Sequence, residues 1–457
     1  MRYESYKPSD VAWLGEIPEH WDSKYLGACF SERREKVSDK VFKPLSVTKK
    51  GIVPQLETAA KSNAGDNRKK VLKGDFVING RSDRKGSSGI SYLDGSVSLI
   101  NIVLKPKELF LSKYTHYLLR SVPFQEEYYR NGKGIVADLW STNISEMRKI
   151  LLPIPTIEEQ EAIVRYLSFY EHKINKAIHV KKKLIATLSE QKQAIIAHAV
   201  TKGVDLHVKM KESGISWLGE IPEHWEMKKI KYIAKVNPSS KYSNIKPHEE
   251  VEFVPMENVD EIFGKIKKYN FRKLFEVSSG YTAFKNNDVI FAKITPCMEN
   301  GNCVIIKDLR FDIAFGSTEF IVFRADQKQV TLDFLHLSLR NKQLRLVCEQ
   351  NMKGSAGQKR ISSDFLGNYL LPIPPLEEQK AIVDFIEQET AAIDKAIELS
   401  KKEIELLEEY KTRLIADVVT GAVDVREEAQ NLPQIEEDSA AFESEAYEAE
   451  EEEISDE

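Results

Sequence analysis

The sequence predicts an α+β chain built as a tandem duplication, with two α/β domains in pseudo-twofold repeat separated by two long helices that pair as an antiparallel coiled coil. Three observations carry this. WLGEIPEHW occurs at Trp13–Trp21 and again, unchanged, at Trp217–Trp225. LLPIPTIEEQEAIV from Leu151 is answered by LLPIPPLEEQKAIV from Leu370. Behind each Pro-Ile-Pro, apolar residues recur at the spacing of a coiled-coil seam.

The repeat organises the rest of the chain. The first motif pair is offset by 204 residues and the second by 219, so the second copy has gained 15 residues between its two motifs. TKGVDL from Thr201 and TGAVDV from Thr420 keep the offset of 219. Each copy therefore runs from a Trp-rich anchor through a variable segment to a Pro-Ile-Pro stop and a helix. The prolines force extended backbone before the helix, and Glu158–Glu159 or Glu377–Glu378 in its first turn suit the helix dipole.

In the second copy the seam falls at Ile382, Ile386, Ile393, Ile397, Ile404, Leu407, Leu414 and Val418. The matching positions in the first are Ile163, Leu167, Ile174, Ile178, Ile185, Leu188, Ile195 and Ala199. Each helix of about 43 residues would span about 64 Å. Two such seams in one chain should pair with each other, and an intervening globular segment lets the helices run antiparallel. Lys181–Lys183 reads as the solvated face of this coil.

The variable segments read as α/β. Phe76–Ile78, Ser98–Leu104, Asp288–Lys293, Cys303–Ile306 and Glu319–Phe323 are strand candidates bounded by Gly, Asn and Asp. Leu109–Leu119 and Leu332–Leu346 read as short helices.

At 457 residues, two to four domains are expected. No run approaches the roughly 18 apolar residues of a membrane helix, and the N-terminus lacks an apolar signal core. Cys29, Cys297, Cys303 and Cys348 show neither CxxC spacing nor a His partner, so they read as reduced thiols of a cytoplasmic protein rather than metal ligands. From Glu427 to the end there are 14 acidic residues and no basic one, an acidic tail expected to be disordered. Without it, 66 basic residues face 57 acidic ones, and a body of about +9 could meet a polyanion.

Candidate contacts cluster in loops. Lys353-Gly354-Ser355-Ala356-Gly357-Gln358-Lys359-Arg360 offers flexible glycines, then an amide and two cations. Gln can pair with adenine and Arg with guanine, so Gln358, Lys359 and Arg360 are candidate DNA contacts; the alternative is an ordinary basic loop. Lys293, Thr295, Asn300 and Asn302 form a polar strand and turn that could touch DNA or only stabilise the turn. Ser317 and Thr318 are contact candidates or the start of a strand. Arg81, Ser82, Arg84, Lys85 and Ser87 make a cationic loop between Gly80 and Gly89, suited to phosphates or to a solvated hairpin tip. Arg68-Lys69-Lys70 reads as solvated or nonspecific. Lys133 lies before the Pro stop, where the second copy has its Gly-Gln-Lys-Arg loop.

No catalytic residues are predicted. Asn237-Pro238-Ser239-Ser240 breaks the Asn/Asp-Pro-Pro-aromatic pattern of amino-methyltransferases, and there is no Walker A sequence.

Taken together, WLGEIPEHW near a start, LPIPPLEEQKAIV opening a helix and RLIADVVTGAVDV closing one resemble type I restriction–modification specificity subunits. The second variable segment resembles a recurrent recognition domain of that family through NNDVIFAKITPCMENG, GSTEFIVFRA and MKGSAGQKRISSDFL; the first resembles it through GDFVINGRSDRKGSSG. The resemblance implies target recognition domains at 1–155 and 207–374, spacer helices at 156–206 and 375–425, and a tail at 426–457. It also implies a bipartite double-stranded DNA target, two adenine methyltransferase subunits and ATP-dependent restriction/translocase subunits as partners. S-adenosylmethionine, ATP and magnesium would then sit on those partners, with no cofactor in this chain. Two other readings stay open: the recognition subunit of a methyltransferase–nuclease without a separate motor, and a coiled-coil scaffold that does not act on DNA.

Overall fold

The computed structural model describes residues 2–56, 65–133, 140–205, 207–240, 242, 244–355 and 357–433, without the side chain of Ser82. Most of the predicted acidic tail, from 434 onward, lies outside the described residues. The chain divides into two units, one holding residues up to Val180 and from Glu403, the other holding Lys181–Lys402.

The two seams become a central helix, Ile157–Lys202, and a distal helix, Leu376–Val419. Their pairing is antiparallel within each unit. In the first, Lys411 Nζ donates to Asn175 Oδ1 at 3.0 Å, while Arg426, beyond the end of the distal helix, lies 3.8 Å from Glu159 at the start of the central one. In the second, Lys192 pairs with Asp394 at 2.5 Å, and the end of the central helix at Gly203 lies beside Glu378 at the start of the distal one. Ile163, Leu167, Ile174, Ile178, Ala199, Ile382, Ile386, Ile393, Ile397 and Val418 are buried. Ile185, Leu188, Ile404, Leu407 and Leu414 are half-buried, as expected where only two helices cover one another. One seam position is corrected: Ile195 is half-buried and Ile196 takes its place in the core. There the helix turns Ile196, Ala199 and Val200 onto the core around Trp225.

The diverged segments share one sheet. In the first unit it comprises, in order, Phe30–Glu32, Asn101–Pro106, Phe76–Asn79 and Ser88–Ile90. In the second it comprises Ala234–Val236, Phe320–Ala325, Asp288–Ala292 and Cys303–Ile305, with the same chain connections. The predicted strand at Ser98 begins only at Asn101, because residues 98–100 make the turn that Asn101 closes onto Ser98. The strand predicted from Glu319 begins at Phe320. The helix predicted over Leu332–Leu346 is two helices, Leu332–Arg340 and Lys342–Asn351; Asn341 breaks it by leaving helical geometry and capping the second through Gln343 N. The first segment likewise carries two, Ser112–Arg120 and Val122–Arg130.

A second sheet locates the residues gained by the second copy. In the first unit, Leu45–Thr48 and Gly51–Pro54 are joined by Lys49-Lys50 alone. Their counterparts, Glu250–Val254 and Asn270–Lys273, are separated by residues 255–269, which form a hairpin pairing Val259–Asp260 with Lys265–Ile266. That hairpin is tied down within its unit. Arg340 donates to the carbonyls of Glu261 and Ile262, and Phe263 lies 5.6 Å from Lys192 and 4.8 Å from Lys401, one cation from each long helix. Gly264, at φ +63°, passes so close to the Arg340 guanidinium that a Cβ would collide with it.

The repeated motifs are structural joints. Each Pro-Ile-Pro segment is a strand, Leu151–Ile154 pairing with Asp22–Tyr25 and Leu370–Ile373 with Glu226–Lys229. The Gln of each EEQ makes the same three bonds, one accepted and two donated. Gln160 Oε1 accepts from Leu111 N while its amide donates to the Leu109 and Pro155 carbonyls. Gln379 does so with Thr331 N and the Gln329 and Pro374 carbonyls. Trp21 and Trp225 are fully buried, against the left-handed Gly421 and Gly203 that end the two long helices.

Candidate nucleic-acid interface

The strongest local signal in the second unit is a three-way bridge. Arg360 pairs in β fashion with Ile294 on one side and Lys353 on the other. Its N–H donates to Lys353 O at 2.8 Å, and Thr295 N donates to Lys359 O at 3.0 Å. This brings Lys293, Thr295, Thr318, Gln358, Lys359 and Arg360 to one edge of the domain. Lys293 Nζ donates to Thr318 O at 2.7 Å, and the Arg360 guanidinium grips Glu319 at 2.9–3.2 Å. That hydrogen bond holds Arg360 more firmly protonated than an isolated arginine. Gln358, Lys359, Arg360, Thr318 and Asn300 are exposed; Ser317 turns its hydroxyl to accept from Glu319 N at 3.2 Å. Asn302 faces inward, buried, its amide donating to Val259 O at 3.3 Å, so it pins the extra hairpin instead of facing solvent. Ala356 lies outside the described residues.

The first unit holds the same bridge. Ser141 pairs with Arg81 on one side and Lys133 on the other. Ser141 therefore stands where Arg360 stands, and Lys133 corresponds to Lys353 rather than to the Gly-Gln-Lys-Arg loop, whose counterpart, residues 134–139, lies outside the described residues. Residues Ser82–Arg84 form a single 3-10 turn. Arg84 and Lys85 are exposed; Ser87 is buried, its N–H closing that turn onto Arg84 O. Several of these cations hold a carboxylate: Arg81 with Asp83 at 2.9 Å, Lys133 with Glu146 at 3.0 Å, and Lys85 with Glu126.

Arg68 corrects the sequence reading of Arg68-Lys69-Lys70 as solvated. It is buried, donating to Ser96 Oγ at 2.9 Å and Ser96 O at 3.0 Å. Pairing inward-facing Arg68 on one strand with Ser96 on the next gave no local sequence signal. Glu319 was also missed as a partner of Arg360, since the two lie 41 residues apart.

All four cysteines are free, and Cys29, Cys303 and Cys348 are buried; burial pushes the Cys303 and Cys348 thiols up to about 12. No helix among the described residues is long and apolar enough to cross a membrane.

Tandem α/β domains on a two-helix coil, each domain presenting a cation-bearing β bridge, define a class, and the comparisons agree with it. Residues 222–409 match the type I restriction modification DNA specificity domain. The chain is 32% identical over 216 residues to the type I restriction enzyme EcoEI specificity subunit of Escherichia coli, covering 47% of this chain but only 36% of that subunit. It is 24% identical to a putative type I restriction enzyme specificity subunit, MjaX, of Methanocaldococcus jannaschii, across 93% of this chain and 97% of the relative. A solved chain from work on complex assembly and conformational transition of the type I R-M system has the same fold, with a TM-score of 0.58 at 15% identity over 89% of this chain and 99% of its own. Residues 222–409 thus match a type I restriction modification DNA specificity domain, and along its length the chain is similar to type I restriction enzyme specificity subunits.

Proposed function

We propose that this chain reads a bipartite double-stranded DNA target, one block through each domain, and carries no catalytic residues of its own. The observation behind this reading is the repeated bridge: Lys133–Ser141–Arg81 and Lys353–Arg360–Ile294 keep a lysine on one side but place Ser against Arg and Arg against Ile at the other two positions of the same backbone frame. A fixed frame with changed side chains is what two readers of different base sequences require, because base edges are distinguished by donor and acceptor pattern. The recognition domains are 1–155 and 207–374, and the contacts come from Arg81, Ser82, Arg84, Lys85, Lys133, Lys293, Thr295, Asn300, Ser317, Thr318, Gln358, Lys359 and Arg360. Buried Ser87 and Asn302 support these contacts from behind.

The helices at 156–206 and 375–425 would separate the readers and hold two adenine methyltransferase subunits, which bring S-adenosylmethionine. Restriction/translocase subunits would bring ATP and magnesium. Coexpression with the methyltransferase partner in a methylation-free host, followed by sequencing for modified adenine, tests the proposal. Two short specified blocks separated by a fixed unspecified gap are expected. No methylation from a verified complex with an active partner would overturn it in favour of a scaffold that does not act on DNA.

A further inference from the structure

The hairpin gained by the second copy carries a basic run that neither the anchors nor the bridge uses. From Ile262 to Phe275 there is no acidic residue and there are five cations, Lys265, Lys267, Lys268, Arg272 and Lys273. All five are exposed, and none forms an ion pair among the described residues. This contrasts with Arg81, Lys85, Lys133 and Arg360, each of which holds a carboxylate. Lys273 has Glu250 opposite it on the neighbouring strand, Lys265 has Asp260 opposite it in the hairpin, and Arg272 lies over the Phe253 ring, so the uncompensated charge is concentrated at Lys267 and Lys268.

The register of the sheet places this run beside the candidate reading edge. Phe253 pairs with Asn270 on one side and with Phe315 on the other. Asn270, two residues after Lys268, and Phe315, two residues before Ser317, therefore lie two strand spacings or roughly 10 Å apart across Phe253. The hairpin also touches the turn after Asn300, where the Asn302 amide donates to Val259 O. The first copy repeats the placement in shorter form: a Cβ on Gly86, in the Arg81–Ser87 loop, would lie 3.8 Å from the side chain of Lys49.

We infer that Lys267 and Lys268 form a sequence-independent phosphate strip, gripping the DNA backbone at the rim of the groove whose bases the Arg360 edge reads. This rests on the DNA-reading proposal. A major groove is about 12 Å wide, so cations about 10 Å from a loop inside it meet phosphates, not bases. Because these lysines have no carboxylate to exchange, each phosphate they neutralise releases a counterion.

The test is duplex binding by the full chain assembled with its methyltransferase partner, over a fourfold range of salt, comparing wild type with Lys267→Gln/Lys268→Gln. Among the described residues, these two are tied into the fold through their backbones alone, Lys267 N to Asn258 O and Asn258 Nδ2 to Lys268 O, so the fold should survive; an unchanged Tm and the Lys267→Arg/Lys268→Arg variant check this. Losing two phosphate contacts should lower the salt slope by about 1.8, which makes binding about twelvefold less salt-sensitive across that range. Target and unrelated duplexes should weaken alike, the methylated motif should not change, and the Arg variant should restore the slope. An unchanged slope, or a changed motif, overturns the strip while leaving the DNA reading intact. Absence of salt-dependent duplex binding by wild type would instead remove the reading and the strip together.

Discussion

His224 Nε2 lies 2.7 Å from Glu378 Oε2, joining the last His of the second anchor to the first turn of the distal helix. The first copy repeats the joint between His20 and Glu159 at 3.0 Å. The identical anchors are therefore identical because each must clasp a helix start. In the second copy the same carboxylate also accepts the Trp225 indole N–H at 3.0 Å, whereas Trp21 Nε1 has no acceptor among the described residues.

Glu378→Ala should thus leave a buried indole N–H unpaired and cost about 1–3 kcal/mol. In a Trp225→Phe background, where that N–H is absent, the same change should cost less. Denaturant unfolding of the four proteins measures the coupling, and strict additivity would contradict the joint.

Acid sensitivity follows from His336. It is buried, 3.0 Å from the Cys303 carbonyl, and burial pushes its imidazole down to about 3. The unfolded chain titrates near 6.5, so between those values only the unfolded state takes up the proton. The stability tied to neutral His336 is complete above about pH 6.5 and is lost as pH falls toward 3, at up to about 1.4 kcal/mol per pH unit. His336→Asn should flatten this loss. Parallel pH curves for wild type and variant would refute the assignment.

Arg360→Lys keeps the charge but loses the fork that now grips Glu319. If this fork reads a base, the methylated motif should relax at one position, by about 1–3 kcal/mol of discrimination. The salt slope should stay the same, because a cation remains. An unchanged motif with uniformly weaker binding would make Arg360 a phosphate contact.

The large architecture was legible because duplication wrote it twice. WLGEIPEHW, the Pro-Ile-Pro strands and the seam from Ile382 could each be checked against a second copy, and both long helices fall where that pattern put them. The break at Asn341 was readable in principle, since Asn before a helical run is an N-cap signal, but the apolar pattern on both sides concealed it. The correspondence of Ser141 with Arg360 was not legible, because backbone pairing survived there while the side chains changed. Ile195 and Ile196 are both apolar, and only the position of the Trp225 core decides which one is buried. Ser87 and Asn302 look like their exposed neighbours in sequence, and burial alone separates them.

The most direct test of two independent readers on one frame is to exchange residues 22–150 for the corresponding segment of a relative with a different target, and to sequence modified adenine. One block of the motif should change to the donor's, with the other block and the gap retained. A change in both blocks, or in neither while methylation persists, would contradict the account.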